Sequence, residues 1–310
     1  MKFQILIPTY NRKEDLRTNL EFLANEVTSH KLADSVGFVV SDNASADGTA
    51  TMLEKFAEKW KDKVQLCILR NESNAGLEQN TVNLLLSASA DYIIWLGDDD
   101  MLADGYLNFV NKTFADPKLG WMIPGIVSVT EDGKKTAGRP AEFDQKIFQP
   151  GYETLLSLSH FGHQMSGLVV KRKDLAKVYL EKPGWRNPYL FIFFLSYNQL
   201  LYPGVYAPSF KTIVNNYNQK DWSYNEIGLL DEVFKSYYYL TDSLGSKKLN
   251  QLLLKFVLMH SYRINFAKGY GFVLRQWKSI SQNAKAAKGL KTPLLTLLTK
   301  EYLIRKLRWK

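Results

Sequence analysis

The stretch DYIIWLGDDDML, Asp91–Leu102, decides the fold of this chain, because a short apolar run ends there in three consecutive aspartates. An apolar run of only four residues, Ile93–Leu96, indicates a buried strand. In an open parallel α/β sheet the ligand site lies at the carboxyl ends of the strands, which is where Asp98, Asp99 and Asp100 would lie. Since three adjacent carboxylates repel one another, we expect either a cation or hydrogen-bond donors to compensate their charge, and a divalent cation that carries phosphate oxygens would do so.

The length of 310 residues and the apolar content of 45% indicate one sizeable α/β domain with additions. Cys67 is the only cysteine, so the sequence offers neither a disulfide framework nor a thiolate metal cluster. Its surroundings, VQLCIL, predict a buried strand. The apolar run at the N-terminus is too short for a signal peptide, and no stretch approaches about 18 apolar residues. We therefore expect a cytoplasmic protein without a membrane-spanning helix.

Strands and helices alternate four times up to the aspartates. Short apolar runs predict strands at residues 3–7, 36–41, 64–69 and 93–96. Apolar residues at helical spacing predict helices around residues 16–27, 53–60 and 77–86. Asn11, with Glu14 three positions later, forms a capping-box pattern for the first helix. The alternation predicts an α/β fold with a Rossmann-like, mostly parallel sheet flanked by helices.

The pattern changes after Leu102. The next predicted elements are a helix at 106–114, a strand at 121–129, and a helix and a buried strand between 151 and 170. From Ser223 onward the sequence predicts mainly helix. Polar residues cluster at 215–223, and we place a domain boundary there. We therefore predict two parts. The first is an α/β domain at residues 1–218, with halves 1–102 and 103–218. The second is a helical, basic C-terminal region at residues 219–310.

Four polar loops, PTYNR, SDNASADGT, RNESNAG and GDDD, each follow a predicted parallel strand, so they should meet at one edge of the sheet. Any one of them alone would be an ordinary turn or helix start, as with Asp47 and Thr49, because Asn, Asp and Gly are common turn residues. Four in succession favour a polar ligand site. Neither a dinucleotide glycine fingerprint nor GxxxxGK[ST] is present, which disfavours hydride transfer and a P-loop NTPase.

As an ordered set, IPTYNR, VVSDNASADGT, an N-x-G with a following asparagine, and YIIWLGDDD resemble the signature of family 2 glycosyltransferases of the GT-A fold. The resemblance covers residues 3–102. It implies a metal-dependent, inverting transferase of the hexosyltransferase type, with Mn²⁺ or Mg²⁺ as cofactor. The donor would be a nucleoside diphosphate sugar, with a UDP-sugar favoured, and the acceptor a glycan or lipid-linked sugar in bacterial cell-surface polysaccharide synthesis.

The resemblance also assigns nucleotide-binding residues to the first three loops. The nucleotide pocket would be lined by Pro8, Thr9 and Asn11. The base would be hydrogen-bonded by Asp42. The nucleotide and its phosphates would be bordered by Asn74, Gly76 and Asn80.

The aspartates would bind the diphosphate end of the donor. By the resemblance, Asp98 would face ribose or metal, Asp99 would border the nucleotide sugar, and Asp100 would coordinate the cation. Many family members carry an acid where this chain has Gly97, so the motif could instead be centred on Asp99. The chemistry itself asks for a cation here, because breaking the bond to phosphate leaves a diphosphate with developing negative charge.

Inversion also requires a general base that takes the proton of the acceptor hydroxyl. Many family members carry it in a Glu-Asp pair at the start of a helix. The corresponding stretch here, GWRNPYLFIFF, has Asn187 and Pro188, which predict a capped helix start. An asparagine cannot accept the proton.

Other candidates for the base are His160, His163, Asp221 and Glu226. We assign the role to His163, since a histidine has an unperturbed pKa of about 6.5. The two remaining histidines lie in predicted helices, where we expect a structural or solvent-facing role: His30 and His260.

Basic residues concentrate at the C-terminal end. Residues 247–310 contain fifteen Lys/Arg and one acid, a net charge of +14, so the preceding residues carry −5 of the total of +9. In 285–310 the basic residues alternate with leucines, Tyr302 and Trp309, which fits either a packed terminal helix or a cationic helix in an anionic membrane interface. With a lipid-linked acceptor, the second reading predicts peripheral attachment to the inner face of the cell membrane.

The sequence also bears on other partners and functions. Nucleic acid is disfavoured because the acidic loops would repel its phosphates, and the sequence leaves a homo-oligomer open. A sugar-1-phosphate nucleotidyltransferase would carry a glycine- and arginine-rich triphosphate loop where this chain has PTYNR. A non-catalytic sugar- or lipid-binding subunit is the other alternative, because the Glu-Asp pair is missing.

Overall fold

A computed structural model describes residues 1–130, 132–139, 146–215, 228–284 and 287–308. Up to the aspartates it has the predicted alternation of strands and helices. The strands are β1 (Phe3–Thr9), β2 (Val36–Asp42), β3 (Gln65–Arg70) and β4 (Tyr92–Trp95). The helices between them are α1 (Lys13–Ser29), α2 (Thr49–Trp60) and α3 (Gly76–Ser87).

The later elements are shorter and less regular. The helices up to residue 201 are α4 (Tyr106–Thr113), α5 (Tyr152–Leu158), α6 (Leu175–Leu180) and α7 (Leu190–Leu201). The strands are β5 (Trp121–Val129), β6 (Lys135–Ala137), β7 (Lys146–Phe148), β8 (Val169–Lys171) and β9 (Gly204–Asn215). The C-terminal helices are α8 (Gly228–Glu232), α9 (Phe234–Tyr238), α10 (Thr241–Met259), α11 (Tyr270–Asn283) and α12 (Lys291–Arg308).

One nine-stranded sheet joins all the described strands, in the order β3-β2-β1-β4-β8-β5-β9-β7, with β6 paired to β5. Strands β1 to β4 are mutually parallel. Strand β8 is antiparallel to both β4 and β5, and β9 is parallel to β5. The carboxyl ends of β1–β4 and β9 and the amino end of β8 therefore lie at the same edge. The prediction of a mostly parallel sheet is confirmed.

The chain divides into two compact units. The first, the sheet unit, consists of Met1–Pro150, Gln164–Val178 and Asn198–Gln219. The second, the helical unit, consists of Gly151–His163, Tyr179–Tyr197 and Lys220–Lys310. Most of the predicted boundary at 215–223, with residue 218, falls in 216–227, outside the described residues, so the division at 218 stays a prediction.

The core of the sheet unit lies between the strands and their flanking helices. Strands β1, β2 and β4 are buried along their whole length, which explains why they are nearly continuous apolar runs. Helix α1 packs on them through one face that consists of Leu16, Leu20, Leu23 and Val27. These four are the apolar positions that the helical spacing predicted.

Two local predictions are wrong. Cys67 is exposed: β3 is an edge strand of the sheet, and none of its residues is buried. Asn11 does not cap α1; the residue before the helix is Arg12, and no side chain of the capping residue bonds to the first turn. The Lys13 N–H instead donates to Asp47 Oδ2 at 2.9 Å, from the loop after β2. Neither the sheet edge nor this long-range cap is encoded in neighbouring residues.

In the part of the chain that the structure describes, no helix is both long and apolar enough to cross a bilayer.

Candidate functional site

The residues that follow β4 form a tight turn, Gly97–Asp100, called here the aspartate turn. The Asp100 N–H donates to the Gly97 carbonyl at 3.2 Å. Asn19 of α1, which is fully buried, donates through Nδ2 to the carbonyls of Gly97 at 3.1 Å and Asp100 at 2.8 Å. The backbone of the turn is therefore fixed from the helix side, and its carboxylates are held at the edge of the sheet.

The first two aspartates of the turn interact with the loop after β1. The Thr9 hydroxyl donates to Asp98 Oδ2 at 2.7 Å, and Arg12 Nη1 lies 3.4 Å from Asp99 Oδ2. Burial, followed by the charge of Asp99, raises the pKa of Asp98 to about 7, although Thr9 and Arg12 oppose this shift. The chain thus compensates the charge of the turn only partly, and a cation would complete the compensation.

The third aspartate is held from two more strands. Ser166, before β8, donates through Oγ to Asp100 Oδ2 and accepts from the Gly97 N–H at 2.9 Å. At the end of β9, the Asn215 N–H donates to Asp100 Oδ1 at 3.3 Å, and its Nδ2 donates to the Asp99 carbonyl at 2.5 Å. The sequence interpretation missed both residues, because a lone serine and a lone asparagine carry no signal until strand directions are known.

Gly97 leaves little room at the turn. A Cβ added there would lie 3.0 Å from Asp100 Oδ2 and 3.3 Å from Ser166 Oγ. The absence of a side chain is therefore part of how the Asp100 carboxylate is accommodated.

The loops after β1 and β2 are joined at Asn11, which has a left-handed φ of 52°. Its N–H donates to Ser45 Oγ at 2.8 Å, and its Oδ1 accepts from the Ala46 N–H at 2.8 Å. Pro8 lies buried in β1 just before this junction. The strained backbone at Asn11 is thus held by bonds on both sides of the residue.

Asp42 is fully buried at the end of β2. Its Oδ1 accepts from the Ser45 N–H at 2.9 Å. Its Oδ2 has no hydrogen-bond partner among the described residues, and the nearest cationic atom is Arg70 Nε at 3.7 Å. A buried carboxylate oxygen without a donor is suited to accept a hydrogen bond from a ligand.

Asparagines connect the loops after β2 and β3. Asn43 donates through Nδ2 to Asn74 Oδ1 at 2.7 Å, and its Oδ1 accepts from Asn71 Nδ2 at 2.8 Å. Asn74 Oδ1 also accepts from the Gly76 N–H at 2.9 Å. At Gly76, φ is +79° and an added Cβ would meet nothing within 4 Å, so the backbone is open in front of α3.

Asn80 lies deeper than the loops. Its Oδ1 accepts from Ser41 Oγ at 2.6 Å, and its Nδ2 donates to the Ser41 carbonyl at 3.0 Å. The amide therefore links α3 to β2, which supports the loops.

His163 belongs to a group of three histidines in the helical unit. Its Nδ1 lies 2.7 Å from the His160 carbonyl and 3.3 Å from His260 Nε2, and His260 Nδ1 lies 2.9 Å from the Phe256 carbonyl. Because a carbonyl only accepts, both Nδ1 atoms carry the hydrogen. Burial lowers the pKa of His260 to about 4, so this ring is neutral near pH 7.

The other positions considered for the base have different surroundings. Asn187 is buried and accepts from the Tyr189 N–H at 2.8 Å, as expected for a residue that starts a helix. His30 ends α1, with Nε2 3.6 Å from Glu26 Oε1. Asp221 and Glu226 lie outside the described residues.

Among the residues that the structure describes, no three His, Cys, Asp or Glu side chains are arranged to hold a metal ion by themselves. Hard divalent cations commonly bind one or two carboxylates together with substrate phosphates. Two carboxylates of the aspartate turn fit that pattern, because they offer oxygen ligands and the negative charge of the turn is only partly compensated. The site is therefore suited to a cation that arrives with, or is completed by, a phosphate ligand.

An α/β sheet with an acidic turn and polar loops at its carboxyl edge is the arrangement of the GT-A fold. The chain belongs to glycosyl transferase family 2, because the sequence model of that family matches residues 4–177. The family predicted from the loop motifs is confirmed. A sequence relative is the abequosyltransferase RfbV of Salmonella typhimurium, 34% identical over 118 residues, which are 37% of this chain and 33% of that protein. The match thus spans about a third of that relative.

Two solved structures share the fold. The first is TarS 1–349 of S. aureus in complex with UDP-GlcNAc, with a TM-score of 0.67 at 16% sequence identity. The superposition covers 95% of this chain and 84% of the TarS chain. The second is the mannosyltransferase PcManGT of Pyrobaculum calidifontis in complex with GDP-Man and Mn²⁺, with a TM-score of 0.51 at 15% sequence identity. The superposition covers 99% of this chain and 87% of the PcManGT chain. These similarities confirm the predicted GT-A fold.

Proposed function

We propose that this protein is a metal-dependent, inverting glycosyltransferase that uses a nucleoside diphosphate sugar. The observation that carries the proposal is the aspartate turn, held at the same sheet edge as the loops of Asp42 and Gly76. TarS binds UDP-GlcNAc and PcManGT binds GDP-Man with Mn²⁺ on the same fold. We favour a UDP-sugar as donor.

The donor would bind along the carboxyl edge of the sheet. Asp42 Oδ2 would accept an N–H of the base, and the Gly76 backbone would allow close approach of the nucleotide. The pocket would be completed by Pro8, Thr9, Asn11, Asn74 and Asn80. Because the acceptor oxygen of Asp42 is buried, the site would favour a base that has an N–H donor.

The diphosphate would meet Mn²⁺ or Mg²⁺ held by Asp98 and Asp100, with Asp99 beside the sugar. The cation would stabilise the negative charge of the departing diphosphate as a Lewis acid. Thr9 and Arg12 orient Asp98 and Asp99 before the ligand binds. Preorganised carboxylates spare the reorganisation that would otherwise oppose metal binding.

The acceptor hydroxyl must lose a proton as the new bond forms, and we propose His163 as its base. With the hydrogen on Nδ1, the basic atom of the neutral ring is Nε2. His260, which is neutral near pH 7, adds no positive charge beside His163. Replacement of His163 by glutamine should lower kcat more than the affinity for UDP.

The test is nucleotide release from a panel of UDP-, GDP- and dTDP-sugars with Mn²⁺, with and without membrane extract. One donor should be turned over, and Asp100→Ala should lower release by more than the 10–100-fold typical of outer-shell partners of a metal. Asp62→Ala, at an exposed aspartate of the sheet unit, is the matched control.

The outcomes separate the competing functions. No release with any donor, and no effect of Asp100→Ala, would contradict the transferase. Binding of a nucleotide sugar without turnover would identify a non-catalytic subunit. This is the alternative that Asn187, in place of an acid, suggests. Release of inorganic diphosphate from a nucleoside triphosphate and a sugar 1-phosphate would identify a nucleotidyltransferase.

We also propose that the helical unit binds an anionic membrane that carries a lipid-linked acceptor, at the inner face of the cell membrane. Helix α12 packs on its unit through the buried Leu294 and Leu298. Leu303 and Leu307 are 53% and 74% exposed, although such side chains are usually buried. Exposed cations flank them at Lys300, Lys306 and Arg308.

The apolar surface continues beyond α12. Arg305 Nη2 donates to Ser261 Oγ at 2.9 Å, so the end of α12 lies beside the segment after α10. The last two residues of α10, Leu258 and Met259, and Tyr262 in that segment are also exposed. Apolar side chains surrounded by cations are suited to the interface of an anionic bilayer. Two parts of the predicted tail, residues 285–286 and 309–310, lie outside the described residues.

Replacing both Leu303 and Leu307 by serine should weaken binding to phosphatidylglycerol vesicles, because the inserted apolar area is lost. The control is Leu86→Ser in α3, where the leucine is 58% exposed in the sheet unit. Cosedimentation measures the effect. Equal binding of the double variant and the control would mean that α12 does not contact lipid.

A further inference from the structure

The Asp100 carboxylate is bonded on both oxygens by residues far away in sequence. Ser166 Oγ donates to Oδ2, and the Asn215 N–H donates to Oδ1 at 3.3 Å. The same two residues also contact the backbone of the turn, at the Gly97 N–H and the Asp99 carbonyl. Ser166 and Asn215, called here the clamp, therefore fix both the turn and its last carboxylate.

The serine is held rigidly. It is 2% exposed, and the next residue, Gly167, donates its N–H to the Trp95 carbonyl at 2.8 Å. The Gly167 carbonyl accepts from the Tyr106 hydroxyl. A Cβ on Gly167 would lie 2.3 Å from Thr212 Oγ1, so the backbone has no room to shift in that direction. Ser166 thus presents its hydroxyl from a fixed position.

The asparagine is anchored by the strand that carries it. The Met101 N–H donates to the Ile213 carbonyl at 2.9 Å, and the Ile213 N–H donates back to the Met101 carbonyl at 2.8 Å. This backbone pair ties the residue after the turn to β9. Asn215 follows two residues later, which keeps its amide against Asp99 and Asp100.

We propose that the clamp positions the Asp100 carboxylate for a divalent cation and thereby sets the affinity for the metal–nucleotide complex; this inference rests on the proposed function. A carboxylate oxygen has two lone pairs, so each Asp100 oxygen can accept from the clamp and still face a ligand. Without the clamp the side chain would have to be ordered when the metal binds. Outer-shell partners of this kind typically change metal affinity 10–100-fold.

The test measures the affinity of Mn²⁺ in the presence of UDP, by the change of Mn²⁺ electron paramagnetic resonance on binding, for Ser166→Ala and Asn215→Ala. Each variant should bind Mn²⁺ about 10–100-fold more weakly, while kcat at saturating Mn²⁺ changes much less. Ser196→Ala is the control, because Ser196 is fully buried and its hydroxyl has no hydrogen-bond partner among the described residues. The control should keep the Mn²⁺ affinity even where its melting temperature falls.

Unchanged Mn²⁺ affinity in both clamp variants would overturn the inference. If Ser166→Ala does not fold, Asn215→Ala decides alone, since Asn215 is only partly buried. A wild-type protein that releases nucleotide from a sugar donor but binds no Mn²⁺ would contradict the proposed metal instead. The failure of the clamp and the failure of the proposed function are thus distinguishable.

Discussion

Single residues at the aspartate turn show how little tolerance the site has. Gly97 and Asp100 are neighbours across one turn, and the space that a Cβ would need at Gly97 is taken up by Asp100 Oδ2 at 3.0 Å and Ser166 Oγ at 3.3 Å. Both contacts are to polar atoms with their own hydrogen bonds, so neither can move without losing a partner. The smallest side-chain addition should therefore be felt at the carboxylate.

Gly97→Ala should lower Mn²⁺-dependent nucleotide release by at least about 10-fold, the lower end of the range for disturbed outer-shell contacts. The added methyl group would displace the Asp100 carboxylate from the clamp. Gly184→Ala is the control, because a Cβ there meets nothing within 4 Å. Equal activity of the two variants would mean that the carboxylate can move without consequence.

Among the secondary-structure elements, α10 has a buried titratable group, His260, at its end. His260 stacks on Phe256 at 4.1 Å between ring centroids and lies near His160, His163 and Arg263. Burial lowers its pKa to about 4, whereas an unfolded chain has the ordinary value of about 6.5. The unfolded state therefore binds the proton first as the pH falls.

The free energy of unfolding should decrease as the pH falls from about 6.5 to about 4, by up to roughly 3 kcal/mol from His260. Above about 6.5 this contribution is fully present, since both states are then neutral at this residue. Urea unfolding at a series of pH values measures it. His260→Phe should flatten this part of the profile, and an unchanged slope in the variant would assign the loss to other groups.

The elements also explain what the sequence could and could not predict. Strands β1–β4 and helices α1–α3 are encoded locally, by apolar runs and helical spacing, so their order and the four loops were predictable. Ser166 and Asn215 were not, because they reach the turn only through the antiparallel direction of β8 and the pairing of β9. Cys67 was misjudged for a related reason: an edge strand and a central strand have similar apolar runs.

The molecule as a whole has an uneven distribution of charge. Residues 247–310 carry a net charge of +14, while the rest of the chain carries −5. The acidic loops and the basic C-terminal helices therefore belong to different parts of the chain. Such an arrangement allows one part to bind a cation with its nucleotide while another is attracted to anionic lipid.

Binding to anionic vesicles should fall when the salt concentration is raised from about 0.1 M to about 1 M, because the screening length shortens from about 10 Å to about 3 Å. The Leu303→Ser, Leu307→Ser double variant should lose the salt-resistant remainder. Cosedimentation at several salt concentrations checks both expectations. Binding that does not respond to salt would contradict an electrostatic contribution. Sedimentation velocity in the same buffers tests the homo-oligomer with which the sequence is compatible.

The clamp has a consequence for how the protein forms during synthesis. Its bonds to Asp100 join residues 66 and 115 positions apart in the chain. The ribosome must therefore release residue 215 before the carboxylate can be fixed, even though the loops around Asp42 and Gly76 are complete far earlier. Contacts of such high sequence separation form slowly. A nascent chain can therefore form the loops around Asp42 and Gly76 well before the Asp100 carboxylate is held in place.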